Sequence, residues 1–190
     1  MENNRDKKGK SLKDMTLEEL WELFPIALTP HNHHWIDWAE EEMATLSNLL
    51  SGFYKKISHI GSTAIPGIMA KPIVDILVEI PPSTDKEAVR KKMEADGYIC
   101  MSTSGERMSF NKGYTPEGYA ERVFHIHFHP TGDNDEIHFR DYLIDHPDVA
   151  KEYERLKLSL LPRFKHNRDA YTEAKTDFVR RISALSKCAM

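Results

Sequence analysis

The segment Phe124-His125-Ile126-His127-Phe128-His129 alternates apolar and imidazole side chains without a break. A period of two fits a β-strand and no helix, because successive strand side chains point to opposite faces. Phe124, Ile126 and Phe128 should therefore face a core, with His125, His127 and His129 on the other side. Imidazoles on one strand face can ligate a transition metal, hold an anion when protonated, or move protons near neutral pH. A half-exposed strand with polar residues toward water would alternate in the same way. His125 and His127 are taken as the functional pair, and His129, which precedes Pro130, as strand-end surface.

A strand needs partners, and the chain supplies them in its middle. Lys55–Ile60 and Ile73–Ile80 read as strands, with shorter ones near Tyr98–Ser102 and Arg107–Asn111. Helical periodicity flanks them. Thr16-Leu17-Glu18-Glu19 is a capping box, and a longer helix should run from about His34 to Leu50. Another spans about Thr84 to Asp96, and the chain beyond His129 is helical, with breaks at His146-Pro147 and near His166-Asn167. Strands in the middle and helices at both ends give an α+β fold: a mixed β-sheet flanked by helices, with a helical C-terminal region. Residues 1–14 are expected to form a charged disordered tail, and 15–190 one domain.

Two further segments carry chemistry. His59-Ile60-Gly61-Ser62-Thr63-Ala64 lies where a strand ends; glycine admits close approach of a ligand, and the amides and hydroxyls that follow can hold phosphate. Gly-Ser also ends many strands for turn reasons alone. Twelve residues separate Ser62 from Asp75, which stands in the apolar strand Ile73–Ile80. A Gly-Ser turn, a short connection and an acid-bearing strand form the pattern of the nucleotidyltransferase superfamily, which this region resembles. That resemblance implies phosphates held at Gly61 and Ser62 and a divalent cation on carboxylates of the next strand. The superfamily usually carries two acids one residue apart, on one face of the strand. Here Asp75 takes the second place and Ile73 the first, while Glu79 lies roughly 13 Å further along the same face. Asp75 with His125 and His127 would complete a mixed site if the two strands are neighbours. Mg or Mn is the superfamily expectation, and Zn or Fe suits histidine ligands better.

The wider pattern is narrower than a superfamily. His59-Ile60-Gly61-Ser62-Thr63-Ala64-Ile65-Pro66-Gly67 followed by Ala70-Lys71-Pro72-Ile73-Val74-Asp75-Ile76 resembles the signature of the GrpB family. Other landmarks follow in order: Trp35 and Glu42, Arg107 with Phe110 and Lys112-Gly113, His125-Ile126-His127, Phe139-Arg140-Asp141-Tyr142-Leu143, Tyr153 with Leu156-Lys157, and Tyr171-Thr172 with Lys175. The resemblance covers about residues 24–185 and implies the nucleotidyltransferase fold, with no assigned activity or substrate.

The candidate site therefore has two parts. Asp75, His125 and His127 are the metal ligands or acid/base groups. His59, Gly61, Ser62, Thr63, Lys71, Arg107, Lys112, Arg140 and Lys175 are the phosphate-binding set, with Arg122 as a further cation flanking the histidine strand. Each cation is equally well a solvated surface residue, and Arg140 with Asp141 equally well a structural pair. The expected partner is a small phosphate-bearing or nucleotide ligand. A net charge of −4 argues against general nucleic-acid binding. No apolar run approaches the roughly 20 residues that span a bilayer, and with 2 cysteines a cytoplasmic protein is expected. Three readings stand: a nucleotidyltransferase-like enzyme, a non-catalytic module with a degenerate site, and a histidine-dependent metalloenzyme of other chemistry.

Overall fold

The computed structural model describes residues 10–188. Helix α1 (Leu17–Leu23) starts at the expected capping box: Thr16 Oγ1 accepts from Glu19 N, and the Glu19 carboxylate accepts from Thr16 N. The remaining elements are α2 (His34–Leu49), β1 (Lys56–Ile60), β2 (Val74–Ile80), α3 (Lys86–Ala95), β3 (Ile99–Ser104), β4 (Arg107–Thr115), β5 (Gly118–Pro130), α4 (Asp135–Asp145), α5 (Pro147–Phe164), α6 (Arg168–Glu173) and α7 (Thr176–Cys188). Most of the expected charged tail lies outside the described residues; its last stretch, Leu12–Asp14, forms a 3-10 turn. Among the described residues, no helix is long and apolar enough to cross a membrane.

The strands form one mixed sheet in the order β1-β2-β5-β4-β3. Strands β2 and β5 are parallel neighbours, and the other three pairs are antiparallel. The central strands β2 and β5 set the character of the two faces. Val74, Ile76 and Val78 pair with Phe124, Ile126 and Phe128, so both strands present their apolar residues to the same side. That side is covered by α2 and α3 and closes into the main core with Trp35, Leu46, Leu50, Val89 and Met93. Burial of such side chains is the main stabilising term, at about 25 cal/mol per Å².

The opposite parity faces the C-terminal helices. There Asp75 pairs with His125, Leu77 with His127 and Glu79 with His129. A second core, of Ile65, Ile68, Phe139, Leu143, Tyr153 and Ile182, knits α4, α5 and α7 together over this side. The histidine face is thus roofed by helices rather than open to bulk water.

His129 departs from the expected surface position. It is 5% exposed, and its Nδ1 lies 3.0 Å from the Asp133 carbonyl, closing the turn after β5. Glu79 accepts from Gly132 N at 3.0 Å in the same turn, so its carboxylate anchors the strand end and is remote from Asp75.

Candidate functional site

Parallel pairing of β2 and β5 places Asp75 directly beside His125, with His127 two residues further on the same face. Asp75 Oδ1 lies 3.3 Å from His125 Nδ1 and 3.1 Å from His127 Nε2. The three ligand atoms all fall within 4.8 Å of one another. Two ligands about 2.1 Å from one ion and a tetrahedral angle apart lie about 3.4 Å from each other. The triad therefore has the spacing of one metal ion's ligands, and three protein ligands leave a position for a ligand or water. Burial pushes the Asp75 carboxyl up, but hydrogen bonds from the two imidazoles outweigh it and hold the group well below the usual carboxylate range. Ile73, where the sequence pattern leads one to expect a first acid, is 3% exposed and lines the same pocket. One carboxylate and two imidazoles is a donor set for zinc, manganese or iron more than for magnesium.

The Gly61-Ser62 turn sits against this triad. Gly61 has φ 73°, and a Cβ there would stand 2.7 Å from Asp75 Oδ2. Glycine is thus required twice, by backbone conformation and by the approach of the carboxylate. Ser62 Oγ accepts from Lys157 Nζ at 3.0 Å, and Lys157 also donates to the Met69 carbonyl. One buried lysine of α5 ties the turn to the connection that leads into β2.

His125 is held from behind. Its Nδ1 is turned to Asp75, and its Nε2 lies 2.8 Å from Tyr114 Oη. Arg168 donates to the Tyr114 oxygen at 2.8 Å and to the Tyr119 oxygen at 3.1 Å, which holds Tyr114 in place beside His125. Tyr114 reaches this side because the β4–β5 register shifts between Lys112 and Tyr114, where Gly113 has φ 89° and a Cβ would meet the Arg122 carbonyl at 2.2 Å. Such a partner on the distal nitrogen fixes ring orientation and tautomer.

The triad opens into a cleft with two chambers. The first encloses about 290 Å³ and collects Lys71, Lys157, Arg168 and Lys175 around Asp75. Lys71 and Lys175 make no hydrogen bond or ion pair with any described residue; each lies near the Tyr171 ring, at 5.9 and 4.6 Å from its centroid. Burial pushes Lys71 down to about 7, with Arg168 and Lys175 adding to it. Burial likewise brings Lys157 to about 7 and lowers Lys175. Four basic side chains face one carboxylate, an imbalance that a bound polyanion would relieve.

Several expected ligand residues are elsewhere. Arg107 pairs with Asp133 at 2.6 Å on the exposed end of β4. Lys112 lies on the α2 side of the sheet, 2.9 Å from Glu42 and over the Tyr98 ring. Arg122 pairs with Glu41 and stacks on Trp38. Strand parity decides the matter for Lys112, which pairs with Phe124 and so shares its face. Of the cations expected around the ligand, Arg107, Lys112 and Arg122 are thus placed elsewhere, and Lys71 is joined instead by cations of the C-terminal helices. His59 pairs with Ile76 in β1 and thus also faces away from the triad; its Nε2 lies 2.9 Å from Thr63 Oγ1. Burial pushes His59 down to about 4, so it is a neutral brace for the turn. Arg140 donates to the His59 carbonyl at 2.5 Å and pairs with Asp141, which makes it a brace as well. Gly61, Ser62, Thr63, Lys71 and Lys175 do line the first chamber.

Lys157 and Arg168 were not singled out as ligand residues by sequence reasoning. Lys157 did leave a trace: with Ala150, Tyr153 and Leu160 it occupies the buried stripe of α5, where a lysine is out of place. Arg168 left none, since it opens a short helix of ordinary polarity.

The second chamber, about 350 Å³, shares Gly61, Asp75, His127, Tyr153, Thr172 and Lys175 with the first and continues between β1, α4 and α7.

Comparison with known proteins gives this arrangement a lineage. The GrpB protein family model matches residues 25–184. The chain belongs to the GrpB family. A UPF0157 protein of Pseudomonas aeruginosa is 41% identical over 129 residues, 66% of this chain and 53% of that protein. The chain spans about half the length of the first curated relatives it matches. The crystal structure of GrpB from Enterococcus faecalis superposes with a TM-score of 0.73 at 28% identity, over 84% of this chain and 96% of that one. A fainter overlap is with the Cid1 poly(U) polymerase, at 14% identity and TM-score 0.49 over 75% of this chain and 47% of that one. The GrpB-family cleft thus sits on a mixed sheet flanked by helices, as expected from the sequence.

Proposed function

We propose that the cleft binds a phosphate-bearing ligand, a nucleotide or another polyphosphate, together with one divalent metal ion held by Asp75, His125 and His127. The observation that supports this reading is the set of four basic side chains around a single carboxylate, two of them, Lys71 and Lys175, without a hydrogen-bond or ion-pair partner among the described residues. Such groups attract a polyanion and would hold it against the Gly61-Ser62 turn. A metal there would supply Lewis-acid polarisation of a phosphoryl oxygen. The chain's own part is positional. Lys71, Arg168 and Lys175 orient and neutralise the phosphates, Lys157 fixes the turn, and the roof of C-terminal helices limits water. These are the requirements of nucleotidyl or phosphoryl transfer, where positioning and electrostatics carry most of the catalysis. The buried Ile73 in place of a second acid favours one alternative, a module that keeps the cradle without turnover. The same reading takes the protein to be cytoplasmic.

The test is thermal unfolding with inorganic tripolyphosphate, with and without Mn²⁺ or Zn²⁺. Saturating ligand should raise the midpoint by about 5–10 °C. Lys71→Met and Lys175→Met should abolish the shift, and Asp75→Asn should abolish only its metal-dependent part. Absence of any shift with polyphosphate and metal would sink the reading. Turnover of nucleoside triphosphate with metal then separates the enzyme from the silent module.

A further inference from the structure

The two chambers share a wall but not a character. The first is ringed by four cations. The second has apolar walls from Ile60, Phe139, Tyr153 and Val179, and Asp135 and Glu136 of α4 also line it. Asp135 is already committed to Lys187 at 2.8 Å. Glu136 is only loosely committed: its side chain is 38% exposed, and its Oε2, shielded from solvent, has a long ion pair but no hydrogen-bond partner. The nearest candidate donor, His129 Nδ1, stands 3.7 Å away and gives its proton to the Asp133 carbonyl at 3.0 Å, because a carbonyl can only accept. The part-exposed carboxylate thus keeps acceptor capacity that no protein donor uses, and a ligand donor in the chamber would use it. Lys175, His127 and Gly61 line both chambers, so a ligand with its phosphates at Lys71 and Lys175 has this chamber beside it for the rest of itself.

Resting on the phosphate reading above, we infer that the second chamber is a base-recognition subsite for a nucleoside polyphosphate whose base carries an exocyclic amino group. The apolar walls would take the flat body of the base, and the Glu136 carboxylate would accept from its amino group. A base that presents a carbonyl at that edge would set two acceptors against each other, which is why selectivity should be large for a small chemical difference.

The test is calorimetric binding of ATP, purine riboside triphosphate and inorganic tripolyphosphate to the full chain with Mn²⁺. Adenine and purine differ at this edge by the exocyclic amino group alone. ATP should bind at least about tenfold more tightly than the purine analogue and than tripolyphosphate, the equivalent of one good hydrogen bond. Glu136→Ala should remove the ATP advantage and leave tripolyphosphate unchanged. Val179→Trp, which fills the chamber from α7, should do the same by a steric route, its folding checked by an unchanged unfolding transition. Purine riboside triphosphate equal to ATP, ATP no tighter than tripolyphosphate, or Glu136→Ala weakening tripolyphosphate as much as ATP would each overturn the subsite while leaving the phosphate chamber standing. Failure of all three ligands to bind would overturn the phosphate reading and the subsite together.

Discussion

The two faces of one sheet treat charge in opposite ways. On the α2 side, Glu42 is 7% exposed and every demand it makes is met: Tyr98 Oη donates to it, and Lys112 Nζ lies 2.9 Å away. On the C-terminal side, Lys71, Lys157, Arg168 and Lys175 gather around Asp75 with no comparable balance. The two clusters lie on opposite faces of the sheet, the first against β4 and the second over β2 and β5. The matched cluster holds the fold together. The unmatched one is maintained against its own repulsion, and such sites belong to function more often than to stability.

Substitutions should separate the two faces. The largest effect belongs to the matched one: Glu42→Ala leaves Lys112 and Tyr98 without their acceptor and should cost about 3 kcal/mol in denaturant unfolding, with polyphosphate binding intact. A loss below about 1 kcal/mol would show that the matched face is not the structural anchor. Gly61→Ala comes next, at about 2 kcal/mol, because its Cβ would meet Asp75 Oδ2 at 2.7 Å and the residue must hold a positive φ. Gly67→Ala is the control: its φ is 75°, yet nothing lies within 4 Å of a Cβ, so only the backbone cost of about 1 kcal/mol should appear. Equal losses at the two glycines would mean that the carboxylate does not press on the turn.

On the unmatched face the sign should reverse. Lys175→Met should raise the stability of the ligand-free protein by about 1 kcal/mol while removing polyphosphate binding. A destabilised Lys175→Met would mean that the cations are paired in a way their surroundings do not show. The pH dependence follows the same logic. Lys71 and Lys157 have folded values near 7, below the ordinary lysine value of 10.5, so between those limits the folded state binds fewer protons than the unfolded chain. Their contribution to stability therefore rises as pH goes from about 7 toward 10.5, and is lost as pH falls through 7. Polyphosphate affinity should move the other way, weakening as pH rises above about 7 and the ammonium groups lose their protons. Melting curves and titrations across this range in wild type and Lys71→Met check both slopes, which the substitution should flatten. The smallest effect is Arg107→Ala: its pair with Asp133 is exposed, so a loss of about 0.5 kcal/mol and unchanged polyphosphate binding are expected.

Much of this was legible in the chain. Alternation at Phe124–His129 fixed which side chains share a face, since a strand has a period of two whatever surrounds it. The capping box set the start of α1, and Gly61 with Asp75 marked the turn and the acid because only glycine fits there. What periodicity cannot supply is the partner of a strand. Parallel pairing of β2 with β5, a long-range choice made by the packing of both faces, brought Asp75 to His125 and His127. The same limit misplaced the cations. Arg107, Lys112 and Arg122 are close to the histidines in sequence but end on another face or an exposed edge, while Lys157 and Arg168, far along the chain, are folded back over the site. Local rules determined the turn, the acid and the histidine face of this protein. Only the tertiary structure decided which charges meet there, because face parity, register shifts and helix docking act over distances that neighbouring residues do not encode.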